Sequence, residues 1–111
     1  MTRLFEKPAP TAEFSERHNQ GKVDLALLPP VALEELAKVL EFGAKKYSRN
    51  GWKKGMLYSV CLASCLRHVF QMLKGEYLDQ ESGLPHAAHA MCNLAFILEY
   101  SKMNKPELND L

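Results

Sequence analysis

Residues 75–93 read GEYLDQESGLPHAAHAMCN, and this stretch decides the fold. Its first half is a turn: Gly75 opens it, the carboxylates Glu76, Asp79 and Glu81 fill it, and Ser82-Gly83 close it. Its second half is the start of a helix. His86, His89 and Asn93 stand at i, i+3 and i+7, and at about 100° per residue they fall within an arc of roughly 60°. The intervening positions Ala87, Ala88, Ala90, Met91 and Cys92 are almost entirely apolar, as are Leu94, Ala95, Phe96, Ile97 and Leu98 beyond them. One polar stripe therefore runs along a helix that is otherwise suited to burial. An unpaired buried imidazole or amide costs about 1–3 kcal/mol, so the stripe must find partners. The carboxylate turn just ahead of it is the nearest source, with or without a metal.

This helix is expected over about residues 85–103. Before the turn, a second helix is expected from Met56 or Leu57 to about Lys74; its first half, LYSVCLASCL, is apolar and small nearly all round, and its second half carries Arg67, His68, Gln71 and Lys74. A first helix is expected over about residues 31–47, where Leu33, Leu36, Ala37, Leu40, Ala44 and Tyr47 form an apolar stripe opposite Glu34, Glu35, Lys38, Glu41, Lys45 and Lys46. Two glycines and an asparagine then break the pattern in SRNGWKKGM, which holds Trp52. Ahead of the first helix, GKVDLALLPP is expected to be extended, because a residue before proline is pushed out of the α region. Residues 1–21 read as a polar arm, 22–103 as a helical domain and 104–111, from Asn104, as a polar tail. No alternating strand pattern occurs. The class is all-α, a compact bundle of about three main helices. The apolar start of the second helix exceeds what one chain can cover, so the core is expected to be completed by oligomerisation, in a homodimer or homotetramer.

Composition narrows function by exclusion. With 111 residues, 47% hydrophobic and 24% charged, the chain is an ordinary single globular domain. A formal net charge of +1 gives no bulk attraction for a nucleic acid polymer or a membrane surface, so an anionic ligand must be held locally. No apolar run approaches the roughly 20 residues that span a bilayer, and MTRLFEKPAPTAEF lacks the apolar core of a signal peptide. A cytoplasmic location is expected. Cys61, Cys65 and Cys92 lie within apolar segments and read as reduced, buried small hydrophobes.

Three groups of side chains carry candidate chemistry. The first joins His68 and the carboxylates Glu76, Asp79 and Glu81 with His86 and His89. Oxygen ligands suit Mg²⁺ or Mn²⁺, and added imidazoles favour Mn²⁺, Fe²⁺ or Zn²⁺. The alternative is that the carboxylates favour the positive end of the helix that follows and the histidines bond back to them. The second group is Lys45, Lys46, Tyr47, Arg49, Asn50, Trp52, Lys53 and Lys54, either a platform for a phosphate and a stacked base or a solvated loop. The third is Glu34, Glu35 and Glu41, where i+3 and i+4 lysines make surface ion pairs the simpler account. No phosphate-binding glycine loop and no nucleophile elbow occurs.

Taken in order, KVDLALLPP, GAKKYSRNGW, Arg67-His68 and GEYLDQESGLPHAAHAMCN resemble the phage-type dATP/dGTP diphosphohydrolase N-terminal domain. That domain is similar in reaction and helical character to the MazG-like nucleoside triphosphate pyrophosphohydrolases. The resemblance spans about residues 22–100. It implies metal-assisted hydrolysis of dGTP or dATP to the monophosphate and pyrophosphate in a phage or prophage setting. The E-x-x-E and E-x-x-D pair that MazG-like enzymes carry on consecutive helices does not recur cleanly; E-x-x-D occurs at Glu76 to Asp79, in a turn. The expected roles are Glu76, Asp79, His68 and His89 for one or two divalent ions, Mg²⁺ or Mn²⁺ foremost, and Glu81 or His86 as general base. Arg67, Lys45 and Lys46 are expected at the phosphates, and Trp52, Tyr47 and Asn93 at the nucleoside. A nucleotide-binding regulator without turnover and a helical interaction module with a satisfied histidine network are the rival readings.

Overall fold

Pro29 and Pro30 set where the first helix begins. Pro29 is extended (φ −74°, ψ 113°) because a proline follows it, and Pro30, whose fixed φ suits a first helical position, starts α1, Pro30–Lys46. The computed structural model describes residues 15–111; of the arm expected over 1–21, residues 1–14 lie outside the described residues. The segment before α1 is not simply extended. Asp24, itself extended, accepts from the Ala26 N–H at 3.0 Å and caps a 3₁₀ turn, Leu25–Leu27, after which Leu28 and Pro29 are extended again ahead of the helix.

Lys45 and Lys46 occupy the last turn of α1, where cations are favoured. Asn50, in the left-handed region at φ 61°, reverses the chain into a second 3₁₀ turn, Gly51–Lys54. The second helix, α2, spans Tyr58–Leu73 and has no cap from the residue before it. Its cap arrives from the chain's far end: the Asp110 carboxylate accepts from the Ser59 N–H at 2.9 Å and from the Ser59 hydroxyl. The C-terminal tail thus folds back as a strap. It carries a 3₁₀ turn, Pro106–Leu108, and Lys105 Nζ donates to the Lys54 carbonyl at 2.8 Å. Leu108 lies where a Cβ on Gly55 would stand, 2.8 Å from its Cδ1.

The end of α2 is a Schellman motif. Gly75, at φ 93°, donates to the Met72 carbonyl at 2.9 Å and Glu76 donates to the Gln71 carbonyl at 2.9 Å. The turn that follows is pinned by backbone bonds from Asp79 N–H to Leu84 O (2.8 Å) and from His86 N–H to Tyr77 O (3.0 Å). It delivers the chain to α3, His86–Lys102.

Among the described residues the only regular elements are helices, as the sequence pattern predicts, with one isolated bridge between Leu78 and Pro85. α3 is central. It packs along α2 and against α1, whereas α1 and α2 barely meet. Small residues on α3 permit the close approach: Ala88 and Cys92 are buried with Val39 of α1, ringed by Leu36, Leu84 and Phe96. Cys61, Cys65 and Cys92 are all free thiols and buried, and burial pushes the Cys92 thiol up to about 11.

The apolar stripe of α1 is used differently from its sequence pattern. Val39 is the residue that enters the core, while Leu33, Leu40 and Tyr47 stay exposed. The apolar start of α2 is likewise only half covered, since Leu57, Val60 and Leu66 remain exposed beside the buried Cys61 and Cys65.

Candidate active site

Because α1 and α2 stand apart on a shared support, an open cleft of about 1370 Å³ lies between them, with α3 as its floor and the Trp52 turn at one end. Pockets for drug-sized molecules run to about 300–1,000 Å³, so this one has room for a nucleotide together with water.

The carboxylate turn meets the helix stripe at the cleft's deep end. Asp79 accepts from the Ser82 N–H at 2.9 Å, a bond that bends the turn, and the Ser82 hydroxyl oxygen accepts from the Leu84 N–H at 3.1 Å. The same hydroxyl is 2.7 Å from His89 Nε2, and Asp79 Oδ2 is 3.8 Å from that nitrogen. His68 reaches across from α2: its ring stacks on His89 with centroids 4.5 Å apart and planes within 7°, and its Nδ1 is 2.8 Å from Nδ1 of His86. Behind His86, its Nε2 is 2.8 Å from Glu76 Oε1.

The electrostatics follow from this crowding. Burial, and then the neighbouring His89, lowers His68; burial lowers His89 as well, with Asp79 pulling the other way. Both rings are therefore mainly neutral near pH 7, which removes the repulsion that two stacked cations would feel. Burial raises Asp79, but the Ser82 hydrogen bonds and then His89 and His68 outweigh it, so the carboxyl lies below its ordinary range and is ionised.

His68, Asp79 and His86 each offer one ligand atom, and these three atoms lie within 4.8 Å of one another. Neighbouring ligands at right angles around an ion, each about 2.1 Å away, are roughly 3 Å apart. The two Nδ1 atoms, 2.8 Å apart, are close to that spacing. Two imidazoles and a carboxylate are a reasonable donor set for Mn²⁺, Fe²⁺ or Zn²⁺.

Of the residues given an expected role at metal, water, phosphate or nucleoside, all line the cleft except Lys45 and Glu76; Lys53, Glu34 and Glu35 of the wider candidate groups also lie outside it. Glu76 sits behind His86 rather than at the three-atom cluster. Lys46 and Glu81 form an ion pair between α1 and the turn, and that contact raises Lys46. Trp52 is stacked on Phe96 (5.2 Å, 19°), and its carbonyl accepts from the buried Tyr100 hydroxyl at 2.6 Å. Asn93 donates to Ser64 Oγ at 3.2 Å and to the His89 carbonyl at 3.0 Å. In the third acidic group, Glu35 pairs with Lys38 at 3.0 Å, the surface contact that i+3 spacing suggests.

Sequence reasoning passed over Ser82, Ser64, Phe96 and Tyr100 as parts of the site. The D-x-x-S spacing of Asp79 and Ser82 is the signal for the first. For the last two, it is the i+4 aromatic spacing on α3, on the side that meets Trp52.

Fold and site together define an all-α domain whose open cleft brings cations, aromatic rings and a histidine–carboxylate cluster together. Residues 12–110 match the profile of the family described as dATP/dGTP diphosphohydrolase, N-terminal, and the chain belongs to that family. It is 39% identical over 94 residues to a dATP/dGTP diphosphohydrolase of Salmonella phage PMBT28. That stretch covers 85% of this chain and 32% of the relative, so the chain matches about a third of that protein's length. No solved structure matches the chain. No helix among the described residues is long and apolar enough to cross a membrane.

Proposed function

We propose that the chain forms the nucleotide site of a metal-assisted diphosphohydrolase that cleaves dGTP or dATP between the α and β phosphates, releasing the monophosphate and pyrophosphate. The observation that carries this reading is the clustering of His68, Asp79 and His86 at the deep end of a nucleotide-sized cleft, beside Arg67 and Lys46. The printed name of the phage relative supplies the substrate class. His68, Asp79 and His86 would hold the divalent ion. When bound, the ion supplies positive charge for the triphosphate and makes a nearby water more acidic.

The chain's own groups do the rest. Arg67 and Lys46 take the phosphate oxygens, and Lys46 exchanges its Glu81 partner for the substrate. Glu81 is then a free, exposed carboxylate beside the phosphates and accepts the proton of the attacking water as the Pα–O bond to pyrophosphate breaks. Glu81 is preferred over His86 as the base because both ring nitrogens of His86 are engaged and it is 2% exposed. Trp52 and Tyr47 flank the nucleoside, with the Asn93 side-chain oxygen as a hydrogen-bond acceptor for it.

The protein acts as a homodimer or homotetramer in the cytoplasm of a phage-infected or prophage-bearing cell. Val23, Leu25, Leu27 and Val31, all more than two-thirds exposed, supply apolar surface for its assembly.

The test is to incubate purified protein with dGTP or dATP and Mn²⁺ or Mg²⁺ and to identify the products. Monophosphate with pyrophosphate is expected. Release of intact triphosphate, or nucleotide binding without turnover, overturns the proposal. Binding without turnover would favour the regulator; the helical interaction module has its own support, since no buried side-chain polar atom among the described residues lacks a partner even without an ion.

A further inference from the structure

Glu76 does not line the cleft, yet its Oε1 is 2.8 Å from Nε2 of His86, a side chain that is almost fully buried. A carboxylate oxygen is the acceptor in such a contact, so the proton between the two atoms is assigned to His86 Nε2. A His86 ring with that single proton has a bare lone pair on Nδ1, and that atom faces Nδ1 of His68 at 2.8 Å. Two lone pairs do not face each other at this distance unless a positive centre lies between them. In the metal-free protein His68 must therefore carry its own proton on Nδ1 and donate it to His86.

We propose that Glu76 is a positioning residue that locks His86 in the Nε2–H tautomer, and that His68 is the ring that changes. Without a cation, His68 is protonated on Nδ1; were a divalent ion held by His68 and His86, the His68 ring would be protonated on Nε2. The exchange moves one proton from Nδ1 to water and one from water to Nε2, so the charge of the ring is unchanged. The stacking of His89 on His68, at 4.5 Å and 7°, holds the ring plane through the exchange, so no ring flip is needed. A carboxylate behind a metal-ligating histidine orients the ring and raises its basicity. Glu76, three residues from Asp79 in sequence, would thus act through His86 and not touch the ion.

The second half of this proposal rests on the reading of His68, Asp79 and His86 as a cation site. The first half does not, because it concerns the metal-free protein. The experiment is a long-range ¹H–¹⁵N spectrum of histidine-labelled protein at pH 8, without metal and then with Zn²⁺, together with calorimetric titration of Mn²⁺ into wild type, Glu76→Ala and Glu76→Gln. Expected without metal are Nε2–H on His86 and Nδ1–H on His68, with Zn²⁺ inverting only His68. Glu76→Ala should weaken Mn²⁺ binding about 10–100-fold. Glu76→Gln, whose amide oxygen still accepts from Nε2–H, should keep the tautomer and lose less.

A metal-free wild-type spectrum with the proton of His86 on Nδ1 overturns the proposal, and it does so whether or not a variant folds. Glu76→Ala that binds Mn²⁺ within twofold of wild type also overturns it. Wild type that binds neither ion overturns the cation half alone, while the metal-free spectrum decides the other.

Discussion

At the scale of single residues, position in the network decides what each candidate can do. Asp79 is ionised, half-buried and held by Ser82. Asp79→Asn keeps the shape but removes the charge, and on the proposed function it is expected to lower turnover of dGTP with Mn²⁺ by about 100-fold or more while leaving the far-UV spectrum unchanged. Tyr100 gives a prediction independent of catalysis. Burial raises its hydroxyl to about 12 from an ordinary 10.0. The folded value lies above the unfolded one, so the stabilisation from neutral Tyr100 is complete below about pH 10 and is lost as pH rises toward 12. Denaturant midpoints measured from pH 8 to 12 should fall steeply in wild type and less steeply in Tyr100→Phe; parallel profiles would refute the assignment. That these imidazoles and carboxylates come together was readable from the sequence, because the polar stripe of α3 needs partners and the carboxylate turn ahead of it is the nearest source. Their division of labour was not. Glu76 and Asp79 look equivalent as E-x-x-D, and only the Schellman turn and the Ser82 bond send one behind His86 and the other to the cluster.

At the scale of elements, the three helices and their order were readable, with ends displaced by one or two residues, because hydrophobic period and the proline and glycine signals act locally. The strap was not. A polar tail gives no sign in sequence that Asp110 will cap a helix some fifty positions earlier, since the partner, the bare N-terminus of α2, exists only after folding. Asp110→Ala is expected to lower the melting temperature, and Asp110→Asn, which keeps an acceptor, should recover part of the loss. The Ser59 hydrogen bonds hold this carboxyl below its usual range, so its contribution is present above the unfolded pKa and disappears as pH falls through the folded one. Gly75→Ala tests the other end of α2. Its φ of 93° leaves open space for a methyl but a strained backbone, so a loss of about 1–2 kcal/mol in denaturant unfolding is expected. An unchanged midpoint would mean that the turn before α3 relaxes freely.

At the scale of the whole molecule, the described residues leave large apolar side chains open both ahead of α1 and on α3. Val23 is 84% and Leu27 81% exposed, and Leu98 on α3 is 69% exposed. Light scattering at micromolar concentration is expected to give a dimer or tetramer, and Leu27→Asp to shift it toward smaller species; a wild-type monomer at every concentration would refute the assembly. That α1 and α2 lean on α3 without leaning on each other has a mechanical consequence. The cleft is built like a pair of tongs whose arms share one support, and its width is set by how each arm sits on α3 and not by contact between the arms. Between the arms themselves the structure has little to break, and the Lys46–Glu81 pair ties α1 to the turn at one end of the cleft. A grip of that kind conforms to guests of slightly different outline, so on the proposed reading any selectivity among nucleobases has to come from the few polar atoms at its end and not from the fit of its walls.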